Sequence, residues 1–307
     1  VMQGVVITGS NNSFLVEVEG GKLFTCSLKG KMLKLDKKVY NPLASGDIVE
    51  LEKENENSAV IISLKERSSA INRLNIKTYT AQTLCANIDL LISIATPSSP
   101  PFRPRFIDRV IVEAEKEGIP ILILLNKVDL KVGEDVRERI EDWKRLGYDV
   151  LEVSGKTGQN IKVLKERLKG LTVAMVGQSG IGKSSLLNAL EPSLNLKTAK
   201  ISYKYDRGVH TTTKAHLYHL KDSITVIDTP GIRNFSLYNI DEDELILYFR
   251  EMAEKSLKCK FGQSCSHQNE IGCEILKGVD SGKILYDRYE SYLRIRDEIA
   301  TLKTHTT

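Results

Sequence analysis

The stretch VGQSGIGKSSLLNAL, from Val176 to Leu190, is the starting point for predicting the fold of this chain. It reads as a strand end, a glycine-rich turn and a helix start, and it matches the pattern G-x-x-x-x-G-K-S/T. Such a loop binds phosphate because glycines let backbone N–H groups turn inward and the helix presents its positive end to the anion. Lys183 would reach the β- and γ-phosphates, and the Ser184 hydroxyl would ligate Mg²⁺. The residues predicted to surround the phosphates are Gly177, Gln178, Ser179, Gly180, Ile181, Gly182, Lys183, Ser184 and Ser185.

A base-reading motif stands before this loop in the chain, whereas in most guanine-nucleotide switches it follows. NKVD, at 126–129, ends the most apolar predicted strand, and open α/β sheets bind ligands at the carboxyl ends of their strands. The Asp129 carboxylate can accept hydrogen bonds from the guanine N1–H and 2-amino groups, a pattern that adenine does not offer. Asn126 and Lys127 would brace the pocket and the plane of the base.

Two further motifs follow predicted strands. In DTPG, Asp228 would be a second magnesium-shell carboxylate, and the Gly231 N–H would contact a γ-phosphate. Taken alone, DTPG also fits a simple turn after a strand. The loop VSGKTG could offer backbone N–H groups to the guanine oxygen, although its composition is common in loops. Its candidate residues are Ser154, Gly155 and Lys156.

The segment GVHTTT, at 208–213, lies between the phosphate loop and DTPG, where a first switch segment belongs. Thr212 is the candidate to close over Mg²⁺, and an edge strand or a solvated loop is the alternative. Ile232 stands where many switches carry a water-orienting glutamine, so intrinsic hydrolysis is expected to be slow. His210 is the candidate to orient the water, and a packed or solvated histidine is the alternative.

The chain of 307 residues suits two or three domains. Residues 1–66 read as about five short strands, as in a small OB-type barrel, with a segment rich in lysine (29, 31, 34, 37 and 38). That segment fits either a contact to nucleic-acid phosphates or a solvated loop. Residues 67–84 are predicted to be a linker. Apolar strands alternating with helices predict a mainly parallel sheet over 85–235, and 236–307 is predicted to be helical.

A cysteine and histidine cluster lies in the helical part. Three thiolates and one imidazole, from Cys259, Cys265, His267 and Cys273, predict a closed tetrahedral Zn²⁺ site with a structural role. A redox site or unpaired packed cysteines are the alternatives.

Charge and hydropathy limit the partners and the cellular location that the sequence suggests. The net charge of +4 permits contact with nucleic acid without requiring it. No run of 18 or more apolar residues and no signal-peptide pattern is present in the sequence, so a cytoplasmic monomer without membrane contact is expected.

The motif order NKVD, SGK, GQSGIGKS, HTTT and DTPG resembles that of the circularly permuted GTPases. With the barrel before it and the cysteine cluster after it, nearly the whole chain resembles the ribosome small-subunit-dependent GTPase family, RsgA or YjeQ. The resemblance implies an α/β fold with an OB-type barrel and a zinc domain, and a GTPase of late small-subunit maturation that the subunit stimulates. It implies as partners GTP and GDP, the small subunit with its rRNA, and assembly factors.

Two positions depart from the family pattern. Gly155 stands where the family more often has alanine, and the spacing of Cys259 and Cys265 is one residue longer than usual. The competing hypotheses are a non-ribosomal GTPase of signalling or metal handling, and a binding module with an inactive nucleotide site.

The permuted order has a physical consequence. DTPG becomes the last motif of the nucleotide domain, so its switch runs directly into residues 236–307. Loss of the γ-phosphate could then move the carboxyl-terminal domain, while the barrel remains a second anchor.

Overall fold

The computed structural model describes residues 1–10, 13–29, 42–196, 214–232 and 235–304. Several residues singled out above lie outside these ranges: Lys31, Lys34, Lys37, Lys38, His210 and Thr212.

The amino-terminal strands form a closed barrel, as predicted. Its strand order is β1-β2-β3-β5-β4, and β4 pairs back onto β1. Alternation of apolar and polar residues drives the closure, since Phe14 and Val16 of β2 and Phe24 of β3 are buried inside. The bounds are β1 Met2–Ser10, β2 Ser13–Val18, β3 Leu23–Leu28, β4 Ile48–Lys53 and β5 Ser58–Leu64.

The segment predicted as a linker, 67–84, contains most of a β-hairpin instead. Strands β6, Ala70–Asn75, and β7, Thr80–Ala86, pair antiparallel. Polar side chains bond across the strands, as when the Thr83 hydroxyl donates to Asn72 Oδ1 at 2.9 Å. Such polar pairs stabilise a sheet that lacks the apolar alternation by which a strand is recognised in the sequence.

The central sheet has six strands in the order β10-β9-β8-β11-β13-β12, and only the β12–β13 pair is antiparallel. All five residues of β9 are buried, as expected for a strand covered on both faces. The bounds are β8 Leu90–Ala95, β9 Ile121–Leu125, β10 Asp149–Glu152, β11 Thr172–Gly177, β12 His216–His219 and β13 Thr225–Asp228.

Four helices cover the sheet. Their bounds are α1 Pro104–Glu117, α2 Glu134–Arg145, α3 Ile161–Leu168 and α4 Lys183–Leu190. α1 and α2 belong to one apolar core with Trp143, and α3 and α4 to a second core on the other face. Gly118 ends α1 in the left-handed conformation at φ 65°, where glycine carries no steric penalty.

The carboxyl-terminal unit contains α5 Glu242–Leu245, α6 Arg250–Ser256, α7 Glu274–Asp280 and α8 Tyr286–Thr304. Its apolar residues are continuous with the core under α1 and α2. Short 3-10 turns occur at Glu19–Gly21, Pro192–Leu194, Ile246–Tyr248 and Gly262–Ser264. None of the helices within the described ranges has the length and apolarity to cross a bilayer.

A buried ionic network joins this unit to the nucleotide domain. The Arg288 guanidinium of α8 is fully buried and pairs with Asp108 of α1 at 2.5 Å and with Glu251 of α6 at 2.7 Å. Arg139 of α2 also pairs with Asp108. Burial alone would raise the pKa of Asp108, but Arg139 and Arg288 hold that pKa below its usual value. The network therefore keeps charged side chains ionised inside the interface between α1 and α8.

Candidate functional site

The phosphate-binding loop connects β11 to α4, which begins at Lys183. Gly180 and Gly182 adopt φ values of 81° and 90°, a conformation that favours glycine. A Cβ atom on Gly182 would lie 2.7 Å from Asn126 Nδ2. Glycine at 182 therefore permits both the turn and the close approach of the NKVD motif.

Asn126 joins the separated motifs into one site. Its side chain is buried, and its Nδ2 donates to the Ile181 carbonyl at 2.8 Å. Its Oδ1 accepts from the Gly155 N–H at 3.0 Å. One amide therefore holds the phosphate loop on one side and the SGK loop on the other.

Lys127 spans the top of the phosphate loop. Its φ is 64°, and its ammonium donates to the carbonyls of Ser99 and Gly180, both at 2.6 Å. Burial lowers the pKa of Lys127, an effect that Asp129 opposes. The Ser99 carbonyl was missed by the sequence analysis, because a backbone acceptor leaves no mark on residue type. The only signal for this loop is its composition, PSSPPFRP, directly after β8.

Asp129 and the SGK loop form the predicted base-binding edge. The Ser154 hydroxyl donates to Asp129 Oδ1 at 2.7 Å, and the Lys156 ammonium lies 3.9 Å from the other carboxylate oxygen. A Cβ atom on Gly155 would come 3.1 Å from the Leu186 nitrogen. Glycine at this position thus lets the loop lie unusually close to α4.

Lys183, at the start of α4, and Asp228, at the end of β13, are close enough to interact electrostatically. Asp228 pairs with Met175 of β11, the strand that leads into the phosphate loop. Burial raises the pKa of Asp228 to about 6, although Lys183 opposes the shift. Burial likewise lowers the pKa of Lys183, and Asp228 opposes it. Asp228 Oδ1 is buried and has no hydrogen-bond partner among the described residues.

This donor set fits a hard cation. A buried carboxylate oxygen without a partner and the Ser184 hydroxyl at the start of α4 are oxygen ligands of the kind that Mg²⁺ selects. The third predicted ligand, Thr212, lies outside the described residues, as does His210.

The DTPG turn lies on the phosphate loop. A Cβ atom on Gly231 would come 2.9 Å from the Ser179 Cα, and the Ile232 N–H donates to the Gly177 carbonyl at 3.1 Å. Ile232 is buried in the core. Its side chain therefore packs against protein and offers no group to orient a water molecule.

The chain beyond DTPG contacts three other elements within a few residues. Phe235 packs edge-on against Phe106 of α1, with ring centroids 6.4 Å apart. The Ser236 carbonyl accepts from the Leu74 N–H of β6 at 2.8 Å, and its hydroxyl donates to Glu298 of α8 at 3.2 Å. Phe235 and Ser236 thus connect the start of the carboxyl-terminal unit to α1, β6 and α8.

The predicted metal ligands come together. The ligand atoms of Cys259, Cys265, His267 and Cys273 all lie within 4.8 Å of one another, and all four residues are buried. Cys259 Sγ lies 3.9 Å from Cys273 Sγ, a spacing that fits two thiolates on one tetrahedral Zn²⁺ with bonds of about 2.3 Å.

Neighbouring groups hold these ligands. The Tyr289 hydroxyl donates to the His267 carbonyl at 2.6 Å, and the Glu274 N–H points at Cys259 Sγ from 3.3 Å. Burial lowers the pKa of His267, which favours the neutral imidazole that a metal requires. Burial also raises the pKa of the Cys265 thiol to about 12. A bound cation would therefore have to displace the thiol proton.

Comparison with known proteins places this architecture. The sequence profile of the RsgA GTPase family matches residues 64–238. A "Small ribosomal subunit biogenesis GTPase RsgA" of Christiangramia forsetii is 38% identical over 96% of both chains. The protein of that name from Bacteroides fragilis is 34% identical over 97% of both chains.

Two solved structures share the fold. YjeQ from Thermotoga maritima is 33% identical, with a TM-score of 0.73 over 97% of this chain and 98% of that one. YloQ, described as a circularly permuted GTPase, is 27% identical, with a TM-score of 0.67 over 98% and 95% of the two chains. The sequence matches and these two structures agree over nearly the full length, and the chain belongs to the RsgA GTPase family.

Proposed function

We propose that this chain is a magnesium-dependent GTPase that binds the small ribosomal subunit and hydrolyses GTP during late maturation of that subunit, which stimulates the hydrolysis. Family membership and the names of the relatives support the proposal.

The observation that carries it is the position of Asn126. Its side-chain amide hydrogen-bonds to the Ile181 carbonyl and the Gly155 N–H, so the NKVD motif and the phosphate loop, which are distant in the sequence, lie side by side. Asp129, which accepts a hydrogen bond from Ser154, would then read guanine. A phosphate loop alone would not distinguish guanine from adenine.

The roles of the other residues follow from their places. Lys183 would bind the β- and γ-phosphates, and the Gly231 N–H would contact the γ-phosphate from its position against Ser179. Ser184, Thr212 and Asp228 would hold Mg²⁺, which when bound neutralises charge on the phosphates. His210 would orient the attacking water, a role that the buried side chain of Ile232 leaves open.

Two further parts of the proposal concern the termini. One Zn²⁺ on Cys259, Cys265, His267 and Cys273 would organise the carboxyl-terminal unit, consistent with their mutual distances. The barrel would contact rRNA, and the protein would act in the cytoplasm as a monomer, alongside assembly factors. The domain limits 1–66, 85–235 and 236–307 are part of the same proposal.

GTP hydrolysis with and without purified small subunits tests the function. Wild-type turnover should rise by at least about tenfold, which requires only about 1.4 kcal/mol of barrier lowering. His210→Ala should lose most of the stimulation and keep nucleotide binding. His219→Ala is the matched control, because that histidine lies on the surface of β12 beside Glu17 and should leave the stimulation unchanged.

Two outcomes would contradict the proposal. Absence of stimulation of the wild type, together with failure to co-sediment with small subunits in the presence of a non-hydrolysable GTP analogue, would favour a GTPase with another partner. Full stimulation of His210→Ala would remove His210 from the mechanism.

A further inference from the structure

The barrel holds the strand next to the magnesium-site aspartate by two side-chain hydroxyls. The Ala215 carbonyl, directly before β12, accepts from Thr8 Oγ1 of β1 at 2.6 Å and from Ser45 Oγ at 3.1 Å. Both donors belong to the amino-terminal barrel region, whereas β12 is the edge strand of the central sheet. Two hydroxyl groups of the barrel region therefore donate to one backbone carbonyl oxygen of the nucleotide domain.

Ser45 is itself firmly anchored. It is buried, and its carbonyl accepts from the Ala86 N–H at 3.0 Å. The next residue, Gly46, donates its N–H to the Val6 carbonyl at 2.9 Å. A Cβ atom on Gly46 would lie 2.1 Å from the Ala86 carbonyl oxygen, so only glycine fits between barrel and hairpin. The hydroxyl of Ser45 thus projects from a backbone tied at several points.

Ala215 directly precedes the residue that pairs with Asp228 of the proposed nucleotide site. His216, the first residue of β12, pairs with Asp228 in the antiparallel register with β13. The side chain of Ile227, beside Asp228, also contacts Gly46, since its Cδ1 lies 2.9 Å from the position of an added Cβ. A shift of Ala215 would therefore reach Asp228 through a single pair of residues on adjacent strands.

We propose that Thr8 and Ser45 are positioning residues for Asp228, so that the barrel sets the geometry of the magnesium site. The proposal rests on the proposed function for the identity of that site. Neither residue is among those proposed to bind nucleotide or metal. Each acts through Ala215 and the pairing of β12 with β13.

The test uses the full-length protein with both hydroxyls removed. Thr8→Val keeps the β-branched shape that suits a strand, and Ser45→Ala removes the second donor. Hydrogen exchange should show faster exchange of the β12 amides in the double variant, with the exchange of the barrel amides unchanged. The Mg²⁺ concentration needed for half-maximal binding of a fluorescent non-hydrolysable GTP analogue should rise by about tenfold. Ser45→Ala with Thr8→Ser, which restores one hydroxyl, should recover most of the wild-type Mg²⁺ dependence.

Glu17→Gln is the matched control. It weakens the contact of Glu17 with His219 at the far end of β12, where Glu17 Oε2 lies 2.6 Å from the ring Nε2, and it leaves both hydroxyls in place. Unchanged β12 exchange in the double variant, an unchanged Mg²⁺ requirement, or the same shift in Glu17→Gln would each overturn the positioning role. Because these measurements use neither ribosomes nor turnover, failure of subunit stimulation in the wild type would count against the proposed function and not against the positioning role.

Discussion

The central sheet and the carboxyl-terminal unit hold their functional residues in different ways. In the sheet, strands such as β9 are wholly buried, and the site residues stand at the strand ends on a core of packed apolar side chains. In the carboxyl-terminal unit, the chain between α6 and α7 contains only the 3-10 turn Gly262–Ser264 among its described residues, and the metal-ligand cluster lies along that stretch. The first region is built by apolar burial, and the second depends on polar groups that need an exact partner.

This contrast predicts that the order of the carboxyl-terminal unit depends on a bound metal, whereas that of the sheet does not. Apolar burial contributes about 25 cal/mol per Å² whatever the ligand state, so the sheet should persist in the absence of any cofactor. Buried thiols and ion pairs stabilise only when every partner is present.

Removal of zinc should have the largest effect on the carboxyl-terminal unit. Apparent binding free energies of structural zinc are about 10–16 kcal/mol, so its loss should abolish the amide protection of 236–304 while GTP binding persists. Metal analysis and hydrogen exchange of Cys273→Ser would measure this. Cys26→Ser, which removes a buried thiol of the barrel outside the cluster, should retain one zinc per chain. Protein prepared without chelator that contains no zinc would refute the metal assignment.

Arg288→Leu should give the next largest effect. The substitution leaves Glu251 without its buried partner and Asp108 with Arg139 alone, which should cost about 3–5 kcal/mol in urea unfolding. Arg294→Leu is the control on the same helix, because its pair with Glu290 is exposed and should contribute less than about 1 kcal/mol. Equal losses in the two variants would show that burial does not set the value of these ion pairs.

Asp129→Asn should change base selection and leave the fold intact. We expect GTP affinity to fall by at least about tenfold, or 1.4 kcal/mol, with a gain for xanthine nucleotides, whose 2-oxo group suits an amide donor. Fluorescent nucleotide titrations measure this, with Glu134→Gln, an exposed residue at the start of α2, as the neutral control. Equal binding of ATP and GTP by the unaltered protein would contradict the guanine assignment.

Gly155→Ala should have the smallest effect. Its added Cβ would meet the Leu186 nitrogen at 3.1 Å, which a shift of a few tenths of an ångström relieves. GDP affinity should fall by less than about fivefold. Gly182→Ala should lower GDP affinity more than Gly155→Ala, because a Cβ there would clash with Asn126 and strain a left-handed φ of 90°. Comparable losses of GDP affinity in both variants would mean that the SGK loop cannot shift to accommodate the added methyl group.

Local patterns made much of this molecule predictable. Alternating residues predicted the barrel, continuous apolar strands predicted the parallel sheet, and the four clustered ligand types predicted the metal site. The hairpin β6–β7 was missed because its strands pair through polar side chains such as Asn72 and Thr83. The roles of His210 and Thr212 stay predictions.

The residue types at the strand ends, and their order, could be read from the sequence, because motif chemistry depends on residue identity and short spacing. The contacts between atoms that are distant along the chain became visible only in the folded structure. Examples are the Asn126 amide between Ile181 and Gly155, the Arg288 network, and the hydrogen bonds from Thr8 and Ser45 to the Ala215 carbonyl. The last involves a backbone carbonyl that every residue possesses, so residue type carries no sign of it. Its partners are 207 and 170 positions away along the chain, and they meet only because the barrel packs against the edge of the sheet.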